Sequence, residues 1–506
     1  MDFAKLFRAL MRSLFSWRAL AAVIFGIIAL WLQSTGLLDH TFLGTWDKSL
    51  FDEVVNIREN TVGGRAPPVI VANFGGAARR AYFAAHPPAG LTPPINELEY
   101  PQLTPFAVVR QAMLDGKRMQ ARVIMIDIDL SPRRPAGSDQ EIADFTAFLK
   151  SWAADPAAPL AIFLRAQPAR EQGQPAPPPL LVTPWDGLME TAPNLTWGGS
   201  NAEANSDGIL RYQDYYTCVR RADGGYSPLM GAPILVAAAA ADGARGAAKG
   251  AVLLGLAKAK ACETPPSAWA AATPPADKQP AFQVAIGGRT ITAPSAGGLI
   301  DYHINDPALA GGGAPPPVGP GDWASDVPVI NTFPPGELLD GVGPELGRGA
   351  ILVFGSSQPN FPDVHWTPYR LMDGDIILAN CARGIALVGP IRDMPLWVQA
   401  LGLLSMLLAT HFFYQMFEWA NSRAHRLGKG VTGAVARGAT SPAIAKIYAL
   451  ALMYATSILA GSILLDHGYW DSTPFVAASI YILIGDALEI LEGRNLKETE
   501  EPSDEE

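Results

Sequence analysis

Apolar positions follow two regimes along the 506-residue chain: unbroken runs near both ends, and short periodic segments between them. Every residue from Ala19 to Leu32 is apolar, and the character continues patchily to Leu38. Three further runs crowd the carboxyl end, Pro395 to Phe417, Ile447 to Leu465 and Pro474 to about Leu491. Each approaches the ~20 residues that a helix needs to cross hydrocarbon. The last run carries Asp486 and Glu489, three apart and so on one helix face, just as His411 and Glu418 share a face seven apart in the second. Such positions suit a polar seam for a partner helix or a proton path, or simple snorkelling at the interface, and Asp486 is the candidate deepest in the run.

The middle of the chain reads as alternating strands and helices. "PPVIVANF" and "ARVIMIDIDL" are β-rich apolar runs of buried-strand length, and "FAVVRQAMLDGKRMQ" between them sets Phe106, Val109, Met113 and Leu114 at helical spacing. Strand, helix, strand predicts a right-handed crossover and parallel pairing. A helix "SDQEIADFTAFLKSWAAD" follows, with Ser138 as its N-cap and Glu141 closing a capping box, and "LAIFLRA" is a third buried strand. Farther on, "SDGILRYQDYYTCV" reads as one strand entered by an Asp207-Gly208 turn. "PLMGAPILVAAAA" reads as helix, "RGAILVFG" as strand, and "DGDIILANCARGIAL" as a strand or turn entering a helix. Proline-rich stretches between these pieces read as surface insertions. The expected fold is α/β: a mixed, mostly parallel sheet flanked by helices, inserted between one amino-terminal and three carboxyl-terminal transmembrane helices.

Charge orients that frame. Lys5, Arg8, Arg12 and Arg18 precede the first run, and Arg423, Arg426, Lys429, Arg437 and Lys446 fill the loop after the second, whereas the hairpin "DHGYWDST" has no Lys or Arg. Basic segments stay cytoplasmic. The expected path is a cytoplasmic start (1–18), a span (19–38), a large outer block (39–394), a span (395–417) and a basic cytoplasmic loop (418–446). A span (447–465), a periplasmic hairpin (466–473), a span (474–491) and an acidic cytoplasmic tail (492–506) complete it. A cleaved signal peptide is the rival reading of the first run, but "QSTGLL" offers only a poor small-x-small site. The net charge of -10, with no clustered cations in the outer block, argues against a nucleic-acid partner. Of three cysteines, at least one is left unpaired in an oxidising compartment; Cys218 with Cys262 is one candidate bridge, and no C-x-x-C pair supports a metal site.

Candidate chemistry concentrates in "FGSSQPNFPDVHWTPY". A serine hydrolase needs its nucleophile in a G-x-S-x-G elbow, and here a glycine precedes Ser356 and Ser357 but none follows. Asp363 and His365, two apart, project the same way from an extended chain rather than toward each other, so no relay and no enzyme is expected. The structural reading has the serines lining the turn that leaves the strand, with Asp363 in an Asx-turn. The binding reading makes the same loop the rim of a ligand site beyond a strand end. Asp127 and Asp129 alternate with isoleucines at the end of the second strand. They belong either to a ligand or cation site with Asp363 and His365, or to the following "SPRR" turn, with Arg133 or Arg134 as salt partner. Asn380 completes the set of ligand candidates. Asp207 with Arg211, across a turn, and Asp52 with Arg58, on the stem after the first run, are expected to be structural or transmitting ion pairs. No cofactor motif stands out.

The order of these pieces resembles the type-two CHASE domain, an extracytoplasmic sensory module of bacterial receptors. "SLFDEVVNIREN", "PPVIVANF", "ARVIMIDIDL", "SDGILR", "ILVFGSSQPNFPDVHWTPY" and "DGDIILANCARG" carry the resemblance, together with one span before and three after. It implies a multi-pass protein of the bacterial inner membrane whose outer domain senses a small ligand or envelope state. Family members usually continue into a kinase or cyclase; this chain ends in "KETEEPSDEE", so the signal would pass to a separate cytoplasmic or membrane partner. The family also tends to carry acidic residues just after the first strand, where this chain has Asn73 and "GGAARR". The alternative is a non-catalytic envelope scaffold that holds another protein.

Overall fold

Four five-residue runs of almost purely apolar residues, each bounded by turn residues, set the architecture. They are β1 (Val69–Asn73), β2 (Val123–Asp127), β3 (Leu160–Leu164) and β13 (Ile351–Gly355). Strands apolar on both faces are stable only between two layers of helix, and that is how they are used. The computed structural model describes residues 48–55, 69–74, 76–87, 103–130, 138–165, 178–199, 202–204, 209–242, 246–263, 280–293, 298–300, 302, 329–330, 348–356, 364–368, 371–395, 397–402, 405, 442–466 and 469–470.

Between β1 and β2 lie α1 (Gly76–Ala85) and α2 (Phe106–Arg118); α3 (Asp139–Ala154) leads into β3. Then come α4 (Asp186–Thr191), β4 (Leu195–Gly198), β5 (Ala202–Ala204), β6 (Leu210–Gln213), β7 (Tyr216–Arg220) and β8 (Tyr226–Met230). They are followed by α5 (Ala232–Ala241), α6 (Ala247–Lys258), β9 (Phe282–Ile286), β10 (Arg289–Ala293), β11 (Gly298–Leu299) and β12 (Val329–Ile330). After β13 the chain forms β14 (Val364–Trp366), β15 (Leu371–Asp373), α7 (Gly374–Val388), β16 (Arg392–Asp393), α8 (Pro442–Asp466) and β17 (Tyr469–Trp470). The main sheet has the order β12-β1-β13-β2-β3-β4 and is parallel throughout; the antiparallel pairs form separate small ribbons. The expected α/β fold, with a mostly parallel sheet flanked by helices, is thus present, but among the described strands the antiparallel pairs stand apart from the main sheet instead of mixing into it. The chain divides into a larger unit, residues 58–392, and a second unit, residues 1–57 with 393–506.

In the larger unit, alternate residues of each strand face opposite layers. Ile70, Ala72, Ile124, Ile126, Leu352 and Phe354 join a core with Phe106, Val109 and Met113 of α2 and Phe145 and Leu149 of α3. The rings of Phe106 and Phe145 stack at 4.5 Å, and Trp185 stands edge-on to both. Gly116 lets α2 approach closely, since a Cβ there would lie 2.5 Å from Ile124 Cδ1. The opposite face is covered by α5 and α7. Helix α5 is apolar all round and eight of its ten residues are buried, as such a composition requires.

Four expectations change. Ser138 does sit at the N-cap of α3, but its side chain caps nothing; Glu141 Oε1 instead accepts a hydrogen bond from the Phe106 backbone N–H at 3.0 Å, across the interhelical gap. Pro105, the N-cap of α2, has no side-chain acceptor, so the neighbouring helix supplies one. The run "SDGILRYQDYYTCV" is two strands, β6 and β7, broken at Asp214 and Tyr215, and "PLM" ends β8 rather than starting a helix. Leu114 is only half-buried; Val108 and Ala112 complete the inner stripe.

Cys218 on β7 and Cys262 after α6 are bonded, closing a sequence separation of 44, and Cys381 is free and buried. Lys249, 4% exposed on α6, directs its ammonium at the carbonyls of Met189, Glu190, Ala192 and Leu195, capping the carboxyl end of α4. Burial pushes its pKa down to about 8, against the pull of Glu190 upward.

Among the described residues no helix is long and apolar enough to cross a membrane. The third apolar run lies within α8, a helix of 25 residues, several of whose side chains fall outside the described set. The first and fourth runs, with Asp486, and most of the second lie outside it altogether.

Two measurements follow from these contacts. Glu141→Ala should lower stability by ~1 kcal/mol, the size of a lost cap, and Ser138→Ala should leave it nearly unchanged; thermal melting of the solubilised full chain separates them. Cys218→Ser should cost up to ~4 kcal/mol, the loop-closure entropy of a bridge of that span, and dithiothreitol should lower the melting temperature of the native chain but not that of the variant.

Candidate functional site

The site is built by strand register. Across the centre of the sheet Asn73 pairs with Gly355 and Gly355 with Asp127, so the last positions of β1, β13 and β2 stand side by side and face the same layer. That layer is α7, whose second residue, Asp375, is 5% exposed. Its carboxylate rests on Gly355: a Cβ at position 355 would lie 2.7 Å from both Asp375 Cβ and Oδ2. Asn73 Nδ2 donates to Asp375 Oδ2 at 2.9 Å. An acid in the first turn of α7 also meets the positive end of the helix dipole, which favours its ionised form.

On the other side of the strand ends, the Ser356 hydroxyl donates to the Phe74 carbonyl and accepts from Arg79 Nη1, each at 3.2 Å. Arg79, on α1, is 2% exposed, with its guanidinium 5.7 Å from the ring centres of both Phe74 and Phe83. Burial draws its pKa below the ordinary arginine value, the direction expected for a desolvated cation. Phe74 N–H donates to the Gly355 carbonyl, extending the β1/β13 ladder by one bond. A buried carboxylate and a buried guanidinium therefore flank one pair of strand ends. The connection from β1 leads to α2 on one layer, whereas the one from β13 leads to α7 on the other. Divergent connections of this kind open a crevice beyond the carboxyl ends of open α/β sheets.

Of the residues singled out from sequence, Asp127 and Ser356 reach this crest on adjacent strands, with Asp129 half-buried two residues beyond. His365 is exposed on β14, paired in register with Met372 of β15. Asn380 is fully buried in α7, donating to the Ile376 carbonyl at 3.1 Å and toward Met372 Sδ at 3.5 Å. Ser357 and Asp363 lie outside the described residues, as do Arg58 and Asp207; Asp52 is half-buried on the helix that includes residues 48–55, and Arg211 is buried on β6. Among the described residues no group of three or more His, Cys, Asp or Glu side chains could hold a metal.

Arg79 and Asp375 were not among the sequence candidates. Asp375 had a readable signal, an acid following Asp373-Gly374 at a helix start, whereas Arg79 had none, because its partner serine is 277 positions away. The site and the sheet define a doubly layered α/β domain with polar groups gathered at the strand ends. The chain belongs to the CHASE2 domain family, a family of extracytoplasmic sensory domains whose model matches residues 21–412. No curated protein and no solved structure matches it.

The contact at Gly355 gives a direct test. Gly355→Ala should destabilise the fold by ~1–3 kcal/mol, the cost of overpacking a closed site. Asn73→Asp should set two carboxylates against each other, raising the pKa of the pair, so that stability falls as pH rises through the carboxylate range. Melting the solubilised variant at pH 5 and pH 8 should show the lower temperature at pH 8, with no such difference for Asn73→Ser.

Proposed function

We propose that this protein is a receptor-like sensor of the bacterial inner membrane. Its outer α/β unit binds a small polar ligand at the crest of β1, β13 and β2, and the helices outside that unit pass the change to a separate partner protein. The observation that carries the reading is the pair of buried charges, Arg79 and Asp375, at the strand ends where the connections diverge. A fold that needed only stability would gain more from apolar side chains there. Ligand candidates on this crest are Asp127, Asp129 and Ser356, with Ser357, Asp363, His365 and Asn380 on the segment that follows β13.

Three further observations support the placement. A Cys218–Cys262 bond suits an oxidising compartment. The basic residues gather at the amino terminus and between 423 and 446, as cytoplasmic segments require. Helix α8, 25 residues and about 37 Å long at 1.5 Å per residue, turns Leu459 and Ile463 outward, a surface suited to lipid.

The test is thermal melting of the full chain in nanodiscs against amino acids, polyamines, sugars, small carboxylates and divalent cations. One chemical class should raise the melting temperature, by an amount equivalent to ~2.7 kcal/mol at a hundredfold excess over the dissociation constant, and Asp127→Asn or Arg79→Gln should remove the response. A flat response across the panel, with crosslinking that recovers one stoichiometric protein partner, would put the scaffold role in its place.

A further inference from the structure

Within the second unit, the helix that includes residues 48–55 packs on α8. Phe51, Val54 and Val55, three and four positions apart, form one buried face. On α8 the matching face is Ser457, Gly461 and Leu465, one residue per turn and all buried, while Leu459 and Ile463 on the other side are 64% and 51% exposed. Val54 presses into a notch at Gly461: a Cβ there would stand 3.0 Å from Val54 Cγ2 and 3.1 Å from Trp470 Cζ3. Phe51 and Trp470 close the joint edge to face, with ring centres 5.0 Å apart.

We propose that this joint is a clasp that fixes the stem emerging from the first apolar run onto the outer end of α8, with Gly461 as its seat. The buried face of Phe51, Val54 and Val55 ties the stem to the surface that receives it. A closely packed seat has discrete arrangements rather than a continuum. A displacement of the stem therefore carries α8 with it or breaks the contact. The clasp deepens the sensory reading by naming where motion entering through the first span reaches the carboxyl-terminal helices. Only its purpose rests on that reading; the contact stands or falls by itself.

The experiment uses the full chain in its membrane, with Cys381→Ser and the native bridge retained. A Val54→Cys/Gly461→Cys pair should link under mild oxidation in most chains, quantified by mass spectrometry of disulfide-joined peptides, while Val54→Cys/Ile463→Cys, aimed at the outward face, should link at least about tenfold less. Equal yields in the two pairs, or no linkage in the first, would overturn the clasp. As a second reading, Gly461→Leu should speed labelling of Val54→Cys by a membrane-impermeant maleimide on the order of tenfold, because an overfilled seat opens. Gly461→Ala should move the rate in the same direction by less, and an unchanged rate in both overturns the proposal. Failure of the sensory reading would appear instead as a flat melting response in a chain whose clasp still links.

Discussion

A carboxylate is held within the layers of this α/β unit because residue 355 has no side chain. Parallel strands wrapped by helices on both faces normally exclude charge, since an uncompensated carboxylate in that setting is costly to bury. Gly355 creates the exception by letting the first turn of α7 settle directly on the end of the central strand. Once there, Asp375 needs a donor, and strand register provides it: Asn73 is the neighbour of Gly355 in the ladder and reaches the carboxylate from β1. The same strand end then supplies Ser356, whose hydroxyl ties Arg79 to the Phe74 carbonyl. Backbone approach comes first, and the polar crest follows from it.

That hierarchy explains what could be read from the chain beforehand. The sheet strands were legible because β1, β2, β3 and β13 are short runs of buried apolar residues, a local property. Asp127 and Ser356 were legible as strand-end residues for the same reason. Insertion of β13 between β1 and β2 was not, because it joins residues nearly three hundred positions apart and no local pattern encodes it. The contacts made by Arg79 and by Asp375 depend on that insertion and were hidden with it. The capping box at Ser138 failed in a related way: Glu141 has the right chemistry at the right spacing, but a proline-capped helix next to it is the needier acceptor-seeker.

Asn73 decides what the buried carboxylate can do. An acid at position 73 would stand against Asp375 at hydrogen-bonding distance. Two carboxylates so placed resist ionising together unless a cation sits between them. An amide removes that requirement and donates a hydrogen bond instead. Asn73 therefore closes the carboxylate of Asp375 inside the protein and leaves ligand contact to Asp127, Asp129 and the Ser356 side of the crest.

The second unit follows the same principle at another scale. Gly461 receives Val54 as Gly355 receives Asp375, each a place where a missing side chain lets two elements meet closely. The consequences differ with what is brought in. At the crest the incoming group is charged, so the contact demands hydrogen bonds and creates polarity; at the clasp it is a valine with an aromatic lid, so the contact is held by packing alone. Packing of that kind has no hydrogen-bond direction to satisfy and can be released and re-formed without leaving a polar group unpaired. A joint that must keep two helices together through motion is better built that way, whereas a charged joint would bring a desolvation cost each time it re-formed.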